Sequence, residues 1–403
     1  VAPVFERLIG QDKAVRALSN AAVAARHINA GTHTVSDSSA MTHAWLFTGP
    51  PGSGRSVAAL SLAAALQCTN PDRPGCGHCA GCTAVMDGNH PDVRRIIPTG
   101  ISIAVAEMRA IVQTASRRPS VGAWHVVIIE DADRLTEGAA NALLKVVEEP
   151  PAHTVFMLCA PSPDPHDIAV TLRSRCRHIV LATPSAQAIA DVLHQQDGLD
   201  VDTARWAAAI SAGHMGRARR LSHDSEARQR REAVLSIPST IARPAAAIQA
   251  ADTLVKTAFD DAKTLGAELD EKETDELKTA LGAGGTGKGA MGAMRGSAGA
   301  LKELERKQKS RATRTVRDAL DRALIDLLGF YRDALLVSLG ADLPPIHPDK
   351  IEHATTVART TTPEALLRSI DSILECRAAI EFNIKPELAV TAMCASVSEH
   401  LRA

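Results

Sequence analysis

The stretch FTGPPGSGRS, residues 47–56, constrains this chain more than any other. It follows the apolar run AWLF (44–47) and precedes RSVAALSLAAALQ (55–67), whose alanines and leucines favour a helix. Gly49, Gly52 and Gly54 let the chain turn sharply between a buried strand and that helix. In this setting backbone N–H groups converge on phosphate oxygens, helped by the partial positive charge of the helix N-terminus. The pattern G-x-x-x-x-G-K-[ST] is met at Gly49, Gly54 and Ser56, the last as a magnesium ligand. Arg55 stands where the lysine belongs. It keeps the charge but exchanges a compact ammonium for a planar fork.

The surrounding pattern predicts an α/β domain. Apolar, β-branched runs at DVRRIIP (92–98), HVVIIEDAD (125–133), TVFMLCAPS (154–162) and RHIVL (177–181) alternate with helical segments at 105–119 and 136–151. Such alternation means a parallel sheet covered by helices, here ending near residue 180. Residues 5–26 have helical spacing, and the polar segment 29–43 reads as a loop. Residues 184–223 form a small helical region, and the chain is helical throughout beyond about 235. GAGGTGKGAMGAMRGSAGA (282–300) interrupts it as a low-complexity, mobile stretch. A long helix over 301–337, a proline-rich break at 344–348 and two further helices follow. The expected division is 1–180, 181–235 and 236–403, which suits 403 residues.

Lys+Arg 45 against Asp+Glu 46 argues against a chain-wide nucleic-acid footprint. No apolar run reaches membrane-spanning length and the N-terminus carries no signal-peptide pattern, so a soluble cytoplasmic protein is expected. Cysteine usage agrees with a reducing compartment.

Magnesium-dependent hydrolysis needs an aspartate near the metal and a glutamate to orient water. At the end of the run HVVIIED the order is Glu130–Asp131, the reverse. In one register each carboxylate has the wrong reach by a methylene; in the other, Ala132 replaces the base. GAGGTGKGA (282–290) repeats the phosphate-loop glycine spacing at Gly282, Gly287 and Lys288, but no strand precedes it and Gly289 replaces the hydroxyl residue. It reads as a linker.

Cys68, Cys76, Cys79 and Cys82 are spaced C-x7-C-x2-C-x2-C. Four thiolates so placed can surround a tetrahedral zinc, with Gly75, Gly77 and Gly81 permitting the turns between them. Free thiols or a redox pair fit this density less well, and His78 and His90 are conceivable substitute ligands. With no acid, base or open coordination position in view, the site reads as structural. Cys159, Cys176, Cys376 and Cys394 sit in apolar contexts and read as inert core residues.

TLRSRCRH (171–178) holds Arg173, Arg175 and Arg177 at the approach to the last strand. With FERLIGQDKAV (5–15), the cysteine module followed by NHPDV (89–93), LTEGAANALLKVVEEPP (135–151) and TLRSRC (171–176), the chain resembles the clamp-loader branch of the AAA+ proteins, subunits of bacterial DNA polymerase III. These motifs span residues 5–180. The helical remainder resembles that family's small lid domain and all-α collar more loosely, and FNIKPELAVTAM (382–393) is similar to the collar's last helix. The resemblance implies a heteropentameric ring with tau/gamma and delta subunits that opens a sliding clamp and closes it on primer–template DNA. It also implies that Arg175 acts in trans, on ATP held by the neighbouring subunit. Motor subunits of such rings carry GKT, Asp–Glu, a polar sensor and a lid arginine. This chain has GRS (54–56), Glu130–Asp131, Pro161 or Ser162 at the sensor and Gly216 beside Arg217. The pattern resembles a stator that has lost its own hydrolysis and whose cleft, Gly49, Gly52, Gly54, Arg55, Ser56, Glu130 and Asp131, is a degenerate ATP/Mg site.

Two other readings are open. One is a motor subunit that tolerates Arg55. The other is a DNA-binding module acting through Lys302, Arg306, Lys307, Lys309, Arg311, Arg314 and Arg317, although a charged helix face is more often merely solvated.

Overall fold

A computed structural model of the chain describes residues 2–402 apart from 33, 99, 116, 281–289 and 383. It divides into two compact units, Val1–Arg219 and Arg220–Ala403.

In the first unit the apolar runs form β1 (Ala44–Thr48), β2 (Val93–Ile96), β3 (His125–Ile129), β4 (Thr154–Ala160) and β5 (Arg177–Val180). They build one sheet in the order β2-β3-β4-β1-β5, with every neighbouring pair parallel. Strands β1, β3 and β4 are buried on both faces, which explains their unbroken apolar runs. Alternate residues feed two cores. Trp45, Phe47, Val126, Ile128 and Met157 face the helices Asp12–Asn29 and Arg55–Leu66. Leu46, Val127, Ile129, Phe156 and Leu158 face Val105–Ala115 and Glu137–Glu148. Because the strands are parallel, their C-terminal ends share one edge of the sheet, where ligands of open α/β sheets bind. The polar segment read as a loop, 29–43, contains a short helix, Val35–Ala40.

A third, alanine-rich core joins the helices Ala186–Gln195 and Val201–Ala209 through Ile189, Leu193, Ala204 and Ala208. Ser185 and Asp200 cap them, accepting from Ala188 N at 3.1 Å and Thr203 N at 2.8 Å.

The second unit is helical. Leu320, Leu324, Leu327, Phe330 and Tyr331 on Ala290–Ser338 pack with Pro244–Ala280, Pro363–Glu381 and Pro386–His400. Three α-helices, not the two expected, follow the proline-rich break, because Thr362 caps a fresh start at Pro363 after Ile351–Thr360. Of the glycine-rich stretch 282–300, residues 282–289 lie outside the described residues. Residues 290–300 open the helix Ala290–Ser338, where alanine and methionine outweigh three glycines.

The two long helices run past their own core. Burial ends at Ala262 on one and begins at Val316 on the other. Beyond that point Arg311 joins them, bonded to Asp270 and to both oxygens of Glu273 (2.9 and 2.7 Å). Nearer the core, Arg231 is buried against Asp349 (2.6 and 2.9 Å) and donates to His347 Nδ1 at 3.0 Å. His347 Nε2 in turn donates to Asp326 O at 3.0 Å, so the ring is held neutral; burial first, then Arg231, lowers its pKa.

Candidate functional site

The turn after β1 carries Gly49, Gly52, Gly54, Arg55 and Ser56 to the shared C-terminal edge, and β3 delivers Glu130 and Asp131 to the same edge. Gly49 N donates to Pro161 O at 3.2 Å, tying the turn to the end of β4. Gly54 caps the helix Arg55–Leu66 at φ 92°. Gly52, at φ +87°, has His214 directly against it: a Cβ there would lie 2.6 Å from His214 Cα. Any side chain at 52 would displace the segment bearing His214, whose Nδ1 accepts from Arg217 N at 3.1 Å.

Gln11 was not foreseen as a site residue. It is buried, its Nε2 donates to Ala182 O at 2.6 Å and to Ser53 O at 3.4 Å, and its Oε1 accepts from Ala182 N at 3.1 Å. One amide therefore holds the glycine turn to the chain leaving β5.

A cavity of about 660 Å³ opens at this turn. Gly52, Ser53, Gly54, Arg55 and Ser56 line it together with the apolar Leu8, Ile9, Val57, Leu60 and Pro184. Arg7, His214 and Arg219 also line it, and among the described residues no carboxylate does. Arg219 is paired bidentately with Asp197 at 2.7 and 3.0 Å.

The carboxylates are engaged elsewhere. Ser56 Oγ donates to Glu130 Oε2 at 3.0 Å, and Arg95, on the neighbouring strand β2, binds Glu130 Oε1. Asp131 adopts a left-handed conformation, φ 50°. Two residues on, burial and then the charge of Asp131 push Asp133 up to about 6. At the sensor position Ser162 Oγ donates to Asp167 Oδ2 at 2.6 Å, within its own loop.

Arg175 stands apart from the cavity. Its Nη2 pairs with Glu148 at 2.5 Å and its Nη1 donates to Thr171 O at 2.9 Å. The side chains of the pair are 39% and 47% exposed. Arg173 donates to Pro163 O at 2.7 Å and Arg177 lies over the Trp45 ring at 5.1 Å, so both neighbours serve the fold.

The four cysteines converge. The Sγ atoms of Cys68, Cys76, Cys79 and Cys82 lie within 4.8 Å of one another, and those of Cys68 and Cys79 are 3.8 Å apart. Tetrahedral zinc with Zn–S near 2.3 Å requires about 3.8 Å between sulfurs, so the residues fit the ion. Cys76 N and Cys82 N donate to Cys68 Sγ and Cys79 Sγ, each at 3.5 Å. Burial opposes the thiolate of Cys79, yet donors from Cys82 and Thr69 outweigh it and hold the pKa down to about 5. Burial pushes Cys82 up instead. Gly75, at φ +87°, is packed so closely that a Cβ would come within 2.7 Å of Val4. The module thus docks on the Pro3–Phe5 turn, and Ser61 of the phosphate-loop helix bonds Val4 O at 2.7 Å.

Asp92 of the NHPDV segment is a second unforeseen anchor. Its carboxylate accepts from Ser120 N, Ser120 Oγ, Val121 N and Gly122 N at 2.6–2.8 Å. Burial opposes its charge, but these donors prevail and hold its pKa down to about 2.

A glycine turn at the C-terminal edge of a parallel sheet, opening into a cleft beside a Ser56–Glu130–Arg95 cluster, defines an α/β domain of open-sheet type. Residues 28–185 match the family model described as DNA polymerase III, delta subunit. DNA polymerase III subunit delta′ of Escherichia coli is 36% identical over 179 residues, 44% of this chain and 53% of that protein. Subunit delta′ of Bacillus subtilis is 35% identical over 157 residues, 39% and 47% of the two chains. Subunit tau of B. subtilis is 34% identical over 187 residues, 46% of this chain and 30% of that protein. The first domain is thus similar to that of DNA polymerase III delta-prime and tau subunits. The chain spans about half or less of the curated relatives it matches. A solved gamma subunit-related protein of Thermotoga maritima aligns over 89% of this chain and 94% of its own at 15% identity and a TM-score of 0.37. Among the described residues no helix is long and apolar enough to cross a membrane.

Proposed function

We propose that this chain is the stator of a clamp-loader ring, a cytoplasmic delta-prime-type subunit that helps load the sliding clamp onto primed DNA. It assembles with tau/gamma and delta subunits, meets primer–template DNA through the complex, and hydrolyses no ATP itself. The state of Glu130 carries this reading. Its two oxygens are bound by Ser56 and Arg95, so the carboxylate next to the turn already carries an arginine as its counter-charge, which supports a cleft unsuited to hydrolysis.

Arg175 has the opposite character. An exposed ion pair is worth about 0–1 kcal/mol, so a neighbouring subunit's phosphate can draw Arg175 from Glu148 at little cost. There it stabilises charge in the transition state of the partner's ATP. The zinc held by Cys68, Cys76, Cys79 and Cys82 supplies a cross-link within the first domain. In the helical unit Phe382, Ile384 and Leu388 stand 83, 46 and 63% exposed around one turn, an apolar surface suited to a ring collar.

The test is a ring reconstituted with Arg175→Ala. Assembly should survive while clamp-stimulated ATPase falls about 10³-fold. Undiminished ATPase would reject the trans role. Magnesium-dependent turnover by the isolated chain, abolished by Asp131→Ala, would make it a motor instead.

A further inference from the structure

The two long helices of the second unit, Pro244–Ala280 and Ala290–Ser338, divide their charge unevenly where they run past the core. Over 263–280 the first carries six acidic and three basic residues; over 301–317 the second carries seven basic and two acidic. Between Ala262 and Val316 no described residue is fully buried, so this length of the pair adds little to the apolar core. Leu304, Gln308, Arg311 and Thr315, spaced four, three and four apart, are half-buried and mark a seam. Across it Gln308 donates to Asp270 O at 3.0 Å, and Arg311 binds Asp270 and Glu273.

The outward faces differ. On the first helix Lys272 and Lys278 each lie 3.9 Å from a carboxylate of the same helix, Glu276 and Asp275, so charge cancels locally. On the second, Lys302, Arg306, Lys309 and Thr313 also follow at four, three and four residues, and all are exposed. Set two residues back from the seam, they lie about 200° round the helix from it, in a row about 16 Å long. The ammonium groups of Lys302 and Lys309 make no hydrogen bond or ion pair among the described residues. Arg306 is paired with Glu303 at 2.8 Å, but the two side chains are 77% and 49% exposed. A pair so exposed yields readily to a stronger anion.

We infer that this row is a contact for the phosphate backbone of duplex DNA, made by the chain itself rather than through partner subunits. Three cations and a hydroxyl in line, facing away from the fold, match a ligand whose charge is also a regular row. No aromatic residue lies between Phe259 and Phe330, so the arm offers unpaired bases no platform for stacking. Charge is what remains, and a duplex presents a phosphate about every 1.7 Å along its axis. Contacts of this kind hold and orient DNA without reading its sequence.

The test follows the fluorescence anisotropy of a fluorescein-labelled duplex of about 20 base pairs as the full chain is added, at salt from about 50 to 200 mM. Replacing the three cations together, Lys302→Gln, Arg306→Gln and Lys309→Gln, should weaken binding about tenfold or more at the lowest salt. The slope of log affinity against log salt should lessen by about 3, one for each phosphate contact. Lys272→Gln with Lys278→Gln should change neither quantity. Lys302→Arg with Lys309→Arg, which keep the charge, should bind as the native chain does, and matching thermal unfolding curves separate lost contacts from misfolding. Absence of duplex binding at low salt would overturn the inference, as would an equal loss in the two sets of glutamine variants. Tighter binding of the single strand would also overturn it. Displacement of the duplex by poly-glutamate at equal charge would make the partner an acidic protein instead. None of these outcomes bears on the ring assay of Arg175.

Discussion

The helix Arg55–Leu66 has a site at each end, and the two ends have kept different things. At its start the glycine turn retains its backbone, yet the side chains that would serve hydrolysis bond to one another. Just past its end, Cys68 begins a set of four sulfurs held at the separation one metal ion requires. Hydrolysis depends on carboxylate oxygens placed to a fraction of an ångström, so on the proposed reading the Glu130–Asp131 order would remove it without disturbing the sheet. The cysteine module is built into the core through Val4, Ser61 and Gly75, so its loss would be felt by the fold.

Metal removal probes that contrast hardest. A strong chelator, or Cys79→Ser, should release one zinc per chain and cost about 5 kcal/mol or more of stability, read by metal analysis and thermal unfolding. An unfolding curve indifferent to chelation would make the two ends equally dispensable.

Asp92 should show a smaller effect on the structural side. Its pKa is depressed from 3.8 to about 2, so the stabilisation is complete above pH 4 and is lost as pH falls from about 4 towards 2. The span is worth about 2 kcal/mol. Asp92→Asn should remove a comparable amount at neutral pH and flatten that acid limb; an unaltered limb would assign it to other carboxylates.

At the loop end the expected effect is least. Ser56→Ala leaves Glu130 its bond to Arg95 and should shift stability by no more than about 1 kcal/mol in denaturant unfolding. A loss above 3 kcal/mol would show that the loop end, too, holds the fold.

The sequence was most legible where spacing alone carries meaning. The β-branched runs, the glycine turn and the C-x7-C-x2-C-x2-C pattern each specify local geometry. The unforeseen residues act over long separations. Gln11 bonds Ala182, 171 positions away, and Arg95 reaches Glu130 only because β2 and β3 lie side by side. His214 rests on Gly52 from a different core. A polar residue gives no local sign of the backbone it will hold. Arg95 had one faint signal, a second charge in a four-residue strand with exposed positions. Of the glycine-rich stretch 282–300, read from composition as low-complexity and mobile, residues 290–300 lie in the helix Ala290–Ser338.

The paired helices of the second unit have a consequence of their own. Between Ala262 and Val316 no described residue is fully buried, and the contacts across the pair include Arg311 with Asp270 and Glu273 and Gln308 with Thr274. Apolar burial is largely indifferent to ionic strength, whereas half-exposed ion pairs are screened within about 8 Å at physiological salt. One continuous pair of helices is thus made of two materials. Near the core its stiffness is fixed by packing, and towards its tip it is set by the surrounding solution. Raising the salt concentration should therefore weaken the Arg311 contacts before the packed part of the pair.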